Sequence, residues 1–463
     1  MEKQKTIKNV ISFSGKGIHT GVLTNINILP AKENTGIKFI RTDLKEKPII
    51  EANIDNLFIT KRRTALKKNN NEVHTVEHLL AAITGASIDN VIIEIDNIEV
   101  PILDGSSIKY TKEIENTGLK IQNAEKKYFE IKKNISFKDD ETGTEFFASP
   151  SNNFEIEVTI NYNCEQLEMQ QHAEINDISK FNTDISPSRT FCFLHELEDL
   201  INNNLVKGGD INNAIVLVDK KIEEKQLLKI KKIFNNQKIQ INKNGTLNNL
   251  ELRFENEPAR HKILDLIGDL TLLGKPIKGK IKVFKPGHKN NTKFAKKLKK
   301  IMNKEKLKLA PEIKWKEKPL YNKEKIKSIL PHRDPFLFID EIRDLGEDYI
   351  IGVKYVKANE EYFKGHFPNE PVMPGVLQLE TMAQAGGVLI LNTVENPQDY
   401  LTFFMKIDNA KFKQKVVPGN TIIFKLNLLS PIRRGLCHMH GIGFVDDKIV
   451  VEADLLAQIS PKK

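Results

Sequence analysis

Residues 260–269, with the sequence RHKILDLIGD, decide how the amino-terminal part of the chain is organised. The stretch predicts a helix with a chemical face, because His261, Asp265 and Asp269 recur at every fourth position along one side. A histidine and an aspartate one turn apart can bind one cation together, since neighbouring turns hold side chains about 5–6 Å apart. The stretch alone leaves two interpretations open: half of a metal site, or the commoner solvated helix face.

The length and charge of the chain limit its class. A chain of 463 residues exceeds what one hydrophobic core serves, so about two to four domains are expected. The formal net charge is +10, but residues 289–318 hold twelve lysines and three glutamates and carry +9 of it. The basicity is therefore a local lysine tract, and we expect no nucleic-acid partner.

The cysteines and the apolar runs indicate a compartment. Cys164, Cys192 and Cys437 are too scattered for a disulfide framework, which fits a reducing cytosol. The amino terminus lacks the apolar core of a signal peptide, and no run of 18 apolar residues occurs. These features predict a cytoplasmic protein without a transmembrane segment.

A second stretch with candidate metal ligands lies at residues 73–82. Its pattern predicts a helix in which His74 and His78 are four residues apart. Glu77 directly precedes His78 and points about 100° away from it on a helix, so it can reach water near a metal without being a ligand. Two partly exposed polar residues on an amphipathic helix remain an equally open interpretation.

Other patterns predict further elements and one loop. Apolar and polar residues alternate over residues 7–41, which predicts strands. Within this region, the glycine-rich loop 14–21 carries His19. A plain hairpin is also an open interpretation of the loop, because the spacings of known phosphate-binding loops are absent. Strand patterns restart at about residue 128 and predict a second α+β domain. The remaining predictions are strands at 90–95, 214–218, 280–284 and 336–339 and helices at 194–201 and 321–330.

Three separated motifs, TVEH at 75–78, RHKILD at 260–265 and GH at 287–288, together resemble the UDP-3-O-acyl-N-acetylglucosamine deacetylases of lipid A synthesis. The resemblance spans about residues 4–300 and includes GIHTG at 17–21, PILDGS at 101–106 and RTF at 189–191. It implies that His78, His261 and Asp265 bind Zn²⁺ and leave a fourth position for water, as catalytic zinc requires. His74 is not a ligand in that family and ranks below His261.

The same resemblance implies catalytic roles. Glu77 would be the general base for the attacking water, and His288 would protonate the leaving amine. Lys262 and Thr190 would support the developing oxyanion. Asp269 would orient His288 or balance its charge.

The resemblance also implies substrate contacts. His19 would bind substrate, and Phe191 would help to line an apolar passage for the acyl chain, together with Phe193, Leu194 and residues 214–218. The segment 220–248 is longer than usual in the family, which leaves the length of the passage open.

The carboxy-terminal third resembles another family. LPHRDPF at 330–336 and the stretch 362–380, YFKGHFPNEPVMPGVLQLE, are similar to the (3R)-hydroxyacyl-[acyl-carrier-protein] dehydratases of the hot-dog fold. The resemblance implies that His366 removes the substrate's α-proton and that Glu380 of the partner subunit helps to expel the hydroxyl group. Amides at the helix start around Gly375 would bind the thioester carbonyl.

The dehydratase resemblance implies partners as well. Active sites would lie across a dimer interface, so we expect a homo-oligomer, either a dimer or a trimer of dimers. Basic side chains could meet an acidic acyl carrier protein, although each is also an ordinary surface charge. These residues are Lys406, Lys411, Lys413, Arg433 and Arg434.

The chain is thus predicted to be a fused zinc amidohydrolase and hydro-lyase of class α+β. Two β-α-α-β sandwich domains of the deacetylase type, at 1–126 and 127–303, would precede a lysine-rich linker at 304–318 and a hot-dog domain at 319–463. Its substrates would be an acylated UDP sugar and an acyl carrier protein. The alternatives are a zinc hydrolase of another acylated amine, a hot-dog thioesterase, and an anionic-surface binder that uses the lysine tract.

Overall fold

A computed structural model describes residues 2–59, 63–161, 170–194, 213–218, 228, 231, 240–242, 246–247, 250–307, 309–430, 432 and 435–462. The chain divides into two compact units, Met1–Lys300 and Ile301–Lys463. Most of the predicted helix at 194–201 and of the long segment at 220–248 lies outside the described residues, as do Arg433 and Arg434. Within the described part, every helix is too short or too polar to span a membrane.

The first unit is a mixed α/β structure in which strands predominate. Its strands are β1 (Lys3–Ile7), β2 (Ile11–Lys16), β3 (Leu23–Pro30), β4 (Ile37–Arg41), β5 (Ile49–Glu51), β6 (Leu57–Ile59), β7 (Thr64–Lys68), β8 (Asn71–His74), β9 (Val91–Ile95), β10 (Leu119–Glu125), β11 (Phe129–Glu130), β12 (Ile135–Asp139), β13 (Thr144–Ser149), β14 (Phe154–Ile160), β15 (Gln171–Ile175), β16 (Phe191–Phe193), β17 (Ile215–Leu217) and β18 (Ile277–Phe284). Its helices are α1 (Glu77–Gly85), α2 (Ile108–Thr117), α3 (Phe181–Asp184), α4 (Glu257–Thr271) and α5 (His288–Leu307).

Two larger sheets form the frame of this unit. One has the order β2-β3-β9-β4-β5, and the other has the order β12-β13-β18-β14-β15, with β11 beside β18. Strand β14 alternates buried Ile156, Val158 and Ile160 with half-buried residues, as a strand with one face on a core must. Helices α1 and α4 pack against each other, and α4 also packs on β14 and β15. The two helices that carry the candidate metal ligands therefore meet inside the unit.

The second unit is one sheet wrapped around a helix. Its strands β19 (Glu341–Leu345), β20 (Tyr349–Tyr355), β21 (Tyr400–Phe412), β22 (Thr421–Leu428), β23 (Leu436–Val445) and β24 (Lys448–Pro461) pair in the order β19-β20-β22-β23-β24-β21. Its helices are α6 (Lys323–Ile329) and α7 (Gly375–Leu391). Helix α7 packs against five of these strands, and its glycines permit close contact: a Cβ at Gly386 would lie 2.6 Å from the Met439 methyl group. Helix α7 is thus closely surrounded by the sheet.

The predicted helix at 73–82 was wrong at its beginning. Strand β8 ends at His74, and helix α1 begins only at Glu77. Thr75 has φ = 56°, in the left-handed region that a continuous helix excludes. His74 and His78 therefore do not share a helical face, and His74 instead contacts Glu72, with 2.9 Å between Nε2 and Oε2.

The predicted strand at 336–339 was also wrong. Gln384 of α7 performs the hydrogen bonding that a neighbouring strand would supply. Its Oε1 accepts from the backbone N–H of Phe338 at 2.8 Å, and its Nε2 donates to the carbonyl of Phe336 at 2.8 Å. A buried side chain thus supplies the backbone hydrogen bonds of this segment. The segment therefore has the apolar pattern of a strand without pairing with one. Helix α5 ends at Leu307, inside the segment expected to be the linker.

Candidate functional site

Three predicted metal ligands converge in the first unit. One ligand atom from each of His78, His261 and Asp265 lies within 4.8 Å of the others, and all three residues are buried. The Oδ1 atom of Asp265 is 3.3 Å from Nε2 of His261 and 3.7 Å from Nε2 of His78. Helix α4 supplies two of these side chains from adjacent turns, and α1 supplies the third.

Gly268 explains how the two helices approach closely enough. A Cβ atom at Gly268 would lie 2.2 Å from the carbonyl oxygen of Glu77. Any larger residue would separate the backbones and so move His78 away from His261 and Asp265. The glycine in the stretch RHKILDLIGD is thus part of the site's geometry.

The donor set fits a bound cation. Oδ1 of Asp265 is buried and accepts no hydrogen bond from the described residues, although two imidazole nitrogens face it. A buried carboxylate oxygen without a donor is rare in folded proteins. His261 Nδ1 lies 3.0 Å from the Ser188 carbonyl, so this nitrogen carries the proton and Nε2 keeps its lone pair for a metal.

A second group of polar side chains lies beside the ligands. His288 is the first residue of α5, and its Nδ1 is 2.9 Å from Oδ2 of Asp269. On the other side of the ring, Nε2 is 3.7 Å from Oε1 of Glu77 and 3.8 Å from Oδ2 of Asp265. The base and the acid implied by the resemblance therefore face each other next to the ligand group.

Thr64 and Asn291 hold this second group in place. The Thr64 backbone N–H donates to Glu77 Oε2 at 3.1 Å, and its hydroxyl donates to Asp269 Oδ1 at 2.5 Å. The Asn291 amide donates to Asp269 Oδ2 at 2.8 Å. With these contacts, the carboxylates of both Glu77 and Asp269 have fixed orientations.

Burial and charge shift the proton affinities of these groups. Burial raises the pKa of Glu77 to about 8. Burial lowers the pKa of His288, but the charges of Asp269 and Asp265 outweigh it and raise that pKa to about 10. Burial raises the pKa of Asp265, but Lys262 and the imidazoles around it hold that pKa well below its usual value. Asp265 thus remains an anionic donor, as a metal ligand must.

Lys262 and Phe191 are half-buried beside the candidate ligands. Nζ of Lys262 is 2.9 Å from Oδ2 of Asp265 and 5.0 Å from the centre of the Phe191 ring. That ring is in turn 6.2 Å from the His261 ring. A cation and an apolar surface are therefore next to the ligands, where an oxyanion and an acyl chain would need them.

The segment before Phe191 is fixed by buried contacts. The Thr190 N–H donates to the Gly105 carbonyl at 2.7 Å. Arg189 Nε is 2.9 Å from Oε1 of Glu257, the first residue of α4, and both side chains are almost fully buried. This ion pair links the segment that carries Thr190 and Phe191 to the helix that carries two of the candidate metal ligands.

The glycine-rich loop with His19 is held by a different residue. The backbone N–H of His19 donates to Oε1 of the buried Glu99 at 3.1 Å. The structure therefore places His19 through its backbone, and its role toward substrate stays a prediction.

In the second unit, His366 has a defined tautomer. Its Nδ1 lies 2.7 Å from the Val372 carbonyl oxygen, so Nδ1 carries the proton and donates it to that oxygen. Nε2 is then the unprotonated nitrogen, and it can accept a proton from a substrate carbon. The stretch 362–380 delivers this side chain from the loop before α7.

Glu380 is paired within its own unit. Its Oε1 accepts from Nε2 of Gln384 at 2.9 Å and lies 3.4 Å from Nε2 of His332. Burial raises the pKa of Glu380, but the hydrogen bonds from His332 and Gln384 outweigh it and leave the pKa below its usual value. The cost of a glutamate on this central helix is therefore offset by two partners.

Gly375 is the first residue of α7 and lies against the edge of the sheet. A Cβ atom at this position would be 2.7 Å from the ring of Phe412 on β21. The first amides of a helix have no carbonyl partner within the helix, so they can bind an oxygen atom. Only a residue without a Cβ fits against this ring at the helix start.

Two family models match the chain. The model described as UDP-3-O-acyl N-acetylglycosamine deacetylase, LpxC, matches residues 4–239 and 230–300, and the model of the FabA-like domain matches residues 330–454. The bifunctional enzyme LpxC/FabZ of Bacteroides thetaiotaomicron is 44% identical over 463 residues, which are 100% of both chains, and that of Porphyromonas gingivalis is 43% identical with the same coverage. The chain belongs to the bifunctional LpxC/FabZ family.

Membership in the LpxC/FabZ family confirms both resemblances and the order of the two parts. The UDP-3-O-acyl-N-acetylglucosamine deacetylase of Vibrio parahaemolyticus is 36% identical over 297 residues, which are 64% of this chain and 89% of that protein. The LpxC-like part is therefore a nearly complete deacetylase, followed by a FabA-like domain.

Several residues of this LpxC/FabZ chain contact the candidate sites without having been assigned a role from the sequence. Among them are Thr64, Asn291, Glu99, His332 and Gln384. His332 lies in the motif LPHRDPF, so its position was visible but its contact with Glu380 was not. Glu99 stands between apolar neighbours in the run IEVPI at 98–102, and a charge in such a run is a usable signal for a buried functional group.

Proposed function

We propose that this chain deacetylates UDP-3-O-[(3R)-3-hydroxyacyl]-N-acetylglucosamine in lipid A synthesis and dehydrates (3R)-3-hydroxyacyl-acyl carrier protein to the trans-2-enoyl product in fatty acid synthesis. One observation carries the proposal: His78, His261 and Asp265 converge beside Glu77 and His288 in a chain with full-length LpxC/FabZ relatives. Measuring acetate release from the UDP sugar and enoyl formation on the carrier, on one purified protein, tests both halves.

The metal of the first unit is proposed to be Zn²⁺, held by His78, His261 and Asp265. Two nitrogens and one carboxylate oxygen form a ligand set that zinc hydrolases use. When bound, the ion supplies a Lewis acid that polarises a carbonyl group and acidifies water. The carboxylate makes the site less positive than a set of three histidines would.

The protein's own groups then divide the proton transfers. Glu77, oriented by the Thr64 N–H, takes the proton of the attacking water. His288, oriented by Asp269 through Nδ1, donates a proton from Nε2 to the leaving amine. Lys262 places a cation near the developing oxyanion, and Thr190 lies on the segment tied to the same helix.

Removal of the metal is expected to lower acetate release at least about a hundredfold and to leave dehydration unchanged. The reason is that all three ligands lie in the first unit, whereas His366 and Glu380 lie in the second. The check is to dialyse the protein against a chelator, assay both reactions, and titrate Zn²⁺ back. Full acetate release from protein with less than about 0.1 metal per chain would contradict the zinc assignment.

In the second unit, His366 is proposed as the base that removes the α-proton, through Nε2. Glu380 of a partner subunit would help to expel the β-hydroxyl group as water, and the helix start at Gly375 would bind the thioester carbonyl. Support comes from the Nδ1–H donation to Val372 and from the absence of a Cβ at residue 375.

The partner subunit in this proposal is a second copy of the chain, joined at the edge strand β21. Among the described strands, its neighbour in the sheet is β24 alone, so one side of its backbone can pair with another strand. Its large apolar side chains are unusually exposed, and Met405 is 56% exposed. Two-fold symmetry brings the same edge of both copies together. Phe412 of this edge lies against Gly375, so the edge adjoins the proposed dehydratase site. The other exposed apolar side chains of β21 are Phe403, Phe404 and Ile407.

The variant Met405→Glu is expected to shift the protein to smaller assemblies and to lower dehydration at least about tenfold, because an apolar interface cannot easily bury an unpaired charge. Deacetylation should not change. Light scattering and the two assays measure these effects. The control is Leu320→Glu, which is similarly exposed at 53% but lies outside β21. An unchanged assembly in Met405→Glu would place the interface elsewhere.

Three finer features complete the proposal. The first unit would form two β-α-α-β sandwich domains, and the second would form a hot-dog domain. The acyl carrier protein would approach Lys406, Lys411 and Lys413, although Lys406 and Lys413 already have ion-pair partners in Asp408 and Glu452. The scattered cysteines favour the cytoplasm as the site of action.

A further inference from the structure

Glu99 is a buried charge that the proposed deacetylation mechanism does not use. Glu99 is fully inaccessible to solvent, and its carboxylate accepts four hydrogen bonds. An ionised carboxylate in such a place is costly unless every lone pair has a donor. The donors come from two separate segments of the chain, so the carboxylate connects these segments.

The first segment is the glycine-rich loop that carries His19. The backbone N–H groups of His19 and Thr20 donate to the carboxylate at 3.1 and 2.8 Å, and the Thr20 hydroxyl donates at 2.7 Å. A Cβ atom at Gly17 would lie 2.3 Å from Oε2 of Glu99, so the loop has closed directly onto this oxygen. The loop therefore takes its position from Glu99.

The second segment is the turn that leads into helix α1. The Thr75 hydroxyl donates to Oε1 of Glu99 at 2.6 Å. Thr75 has the left-handed φ of 56°, which is unfavourable for a β-branched residue and needs stabilising contacts. Two residues later the chain reaches Glu77, and then His78.

The backbone joins the same two places. The His74 N–H donates to the Ile98 carbonyl at 2.8 Å, and the Val100 N–H donates to the His74 carbonyl at 3.1 Å. Glu99 is therefore fixed next to the turn by main-chain bonds on both of its sides. Its carboxylate can then act as a rigid link between the loop and the turn.

We infer that Glu99 is a positioning residue for deacetylation, which sets the loop carrying His19 against the turn that carries Glu77 and His78. This inference rests on the proposed deacetylase function. Burial raises the pKa of a carboxyl, but the hydrogen bonds from Thr75 and Thr20 outweigh it and hold the pKa of Glu99 below its usual value, which agrees with a permanent anion.

The two sides of the link have different kinetic consequences. The loop has no group in the proton transfers, so loosening it weakens substrate binding and raises KM. The turn carries Glu77 and a metal ligand, so loosening it misplaces the base and lowers kcat. Substitutions of Thr20 and Thr75 therefore separate the two effects without removing the carboxylate.

The test measures acetate release by the full chain at varied UDP-sugar concentration. Thr20→Val is expected to raise KM about tenfold with kcat nearly unchanged, and Thr75→Val to lower kcat about tenfold with KM nearly unchanged, because each removes one hydrogen bond to a charged group. Glu99→Gln should show both effects, because an amide has one acceptor oxygen and directs its own N–H groups at the donors. Adding Thr20→Val to Glu99→Gln should raise KM no further.

The control is Thr24→Val, because the buried Thr24 hydroxyl has no hydrogen-bond partner in the described part of the chain. Zinc per chain and the thermal midpoint are measured for every variant, and zinc content should stay at the parental value. Equal losses of activity in all variants would overturn this inference but leave the proposed function standing. An unchanged KM in Thr20→Val together with an unchanged kcat in Thr75→Val would do the same. No acetate release by the unsubstituted protein would overturn the proposed function and this inference with it.

Discussion

The variant Glu77→Gln is expected to lower kcat for deacetylation by about 10²- to 10⁴-fold while zinc stays bound, and Glu77→Ala is expected to behave alike. Glu77 adjoins the ligand His78 but points toward His288, 3.7 Å away, and not into the ligand group. Glutamine keeps the shape and the hydrogen bond from Thr64, and it removes only the ability to accept a proton. The check combines acetate release with metal analysis of the purified variant.

Glu72 offers a matched control for this variant. It is a half-buried carboxylate five residues earlier, and it also contacts a histidine, with 2.9 Å between Oε2 and Nε2 of His74. Glu72→Gln should deacetylate at nearly the parental rate, since Glu72 lies outside the ligand group. Dehydration should be unaffected in both variants. A Glu77→Gln protein that deacetylates at full rate would eliminate Glu77 as the base.

Local spacing placed two of the three candidate ligands on one helical face but left open whether they bind a metal. His261 and Asp265 are one helical turn apart, and any helix through them places both side chains on one face. Their partner His78 could be predicted only from the resemblance, because the contact depends on how α1 packs on α4. That packing depends on the close approach at Gly268, which no periodicity in the sequence encodes.

Local spacing was misleading where the backbone departs from regular geometry. The pair His74 and His78 fits a helical face, but the left-handed Thr75 interrupts the helix between them. That conformation is held by the hydrogen bond to Glu99, a contact across 24 residues of sequence. The strand predicted at 336–339 failed for the same kind of reason, since Gln384 lies far along the chain.

The residues that support the catalytic groups were the hardest to predict. Thr64 donates to Asp269 across 205 residues of sequence, and a threonine in a short strand has no pattern that distinguishes it. The catalytic side chains belong to motifs because their chemistry requires a residue type. Their supports are defined by the tertiary fold, so the sequence indicates the reaction more readily than the geometry that sustains it.

The variant His366→Ala is expected to lower dehydration by about 10²- to 10⁴-fold and to leave deacetylation nearly unchanged, because the base is lost from a unit that lacks the metal ligands. His438→Ala, on strand β23 of the same unit, is the control and should keep both activities. Both reactions are measured on each variant. Loss of both activities in His366→Ala would argue that the two halves do not work independently.

A second experiment tests whether each dehydratase site is shared between subunits. If His366 of one copy works with Glu380 of another, coexpression of His366→Ala with Glu380→Gln restores activity that neither variant has alone. Random pairing makes about half of the dimers mixed, and each mixed dimer has one intact site of two, so about a quarter of the parental rate should return. No recovery in mixed dimers would mean that both residues act within one subunit.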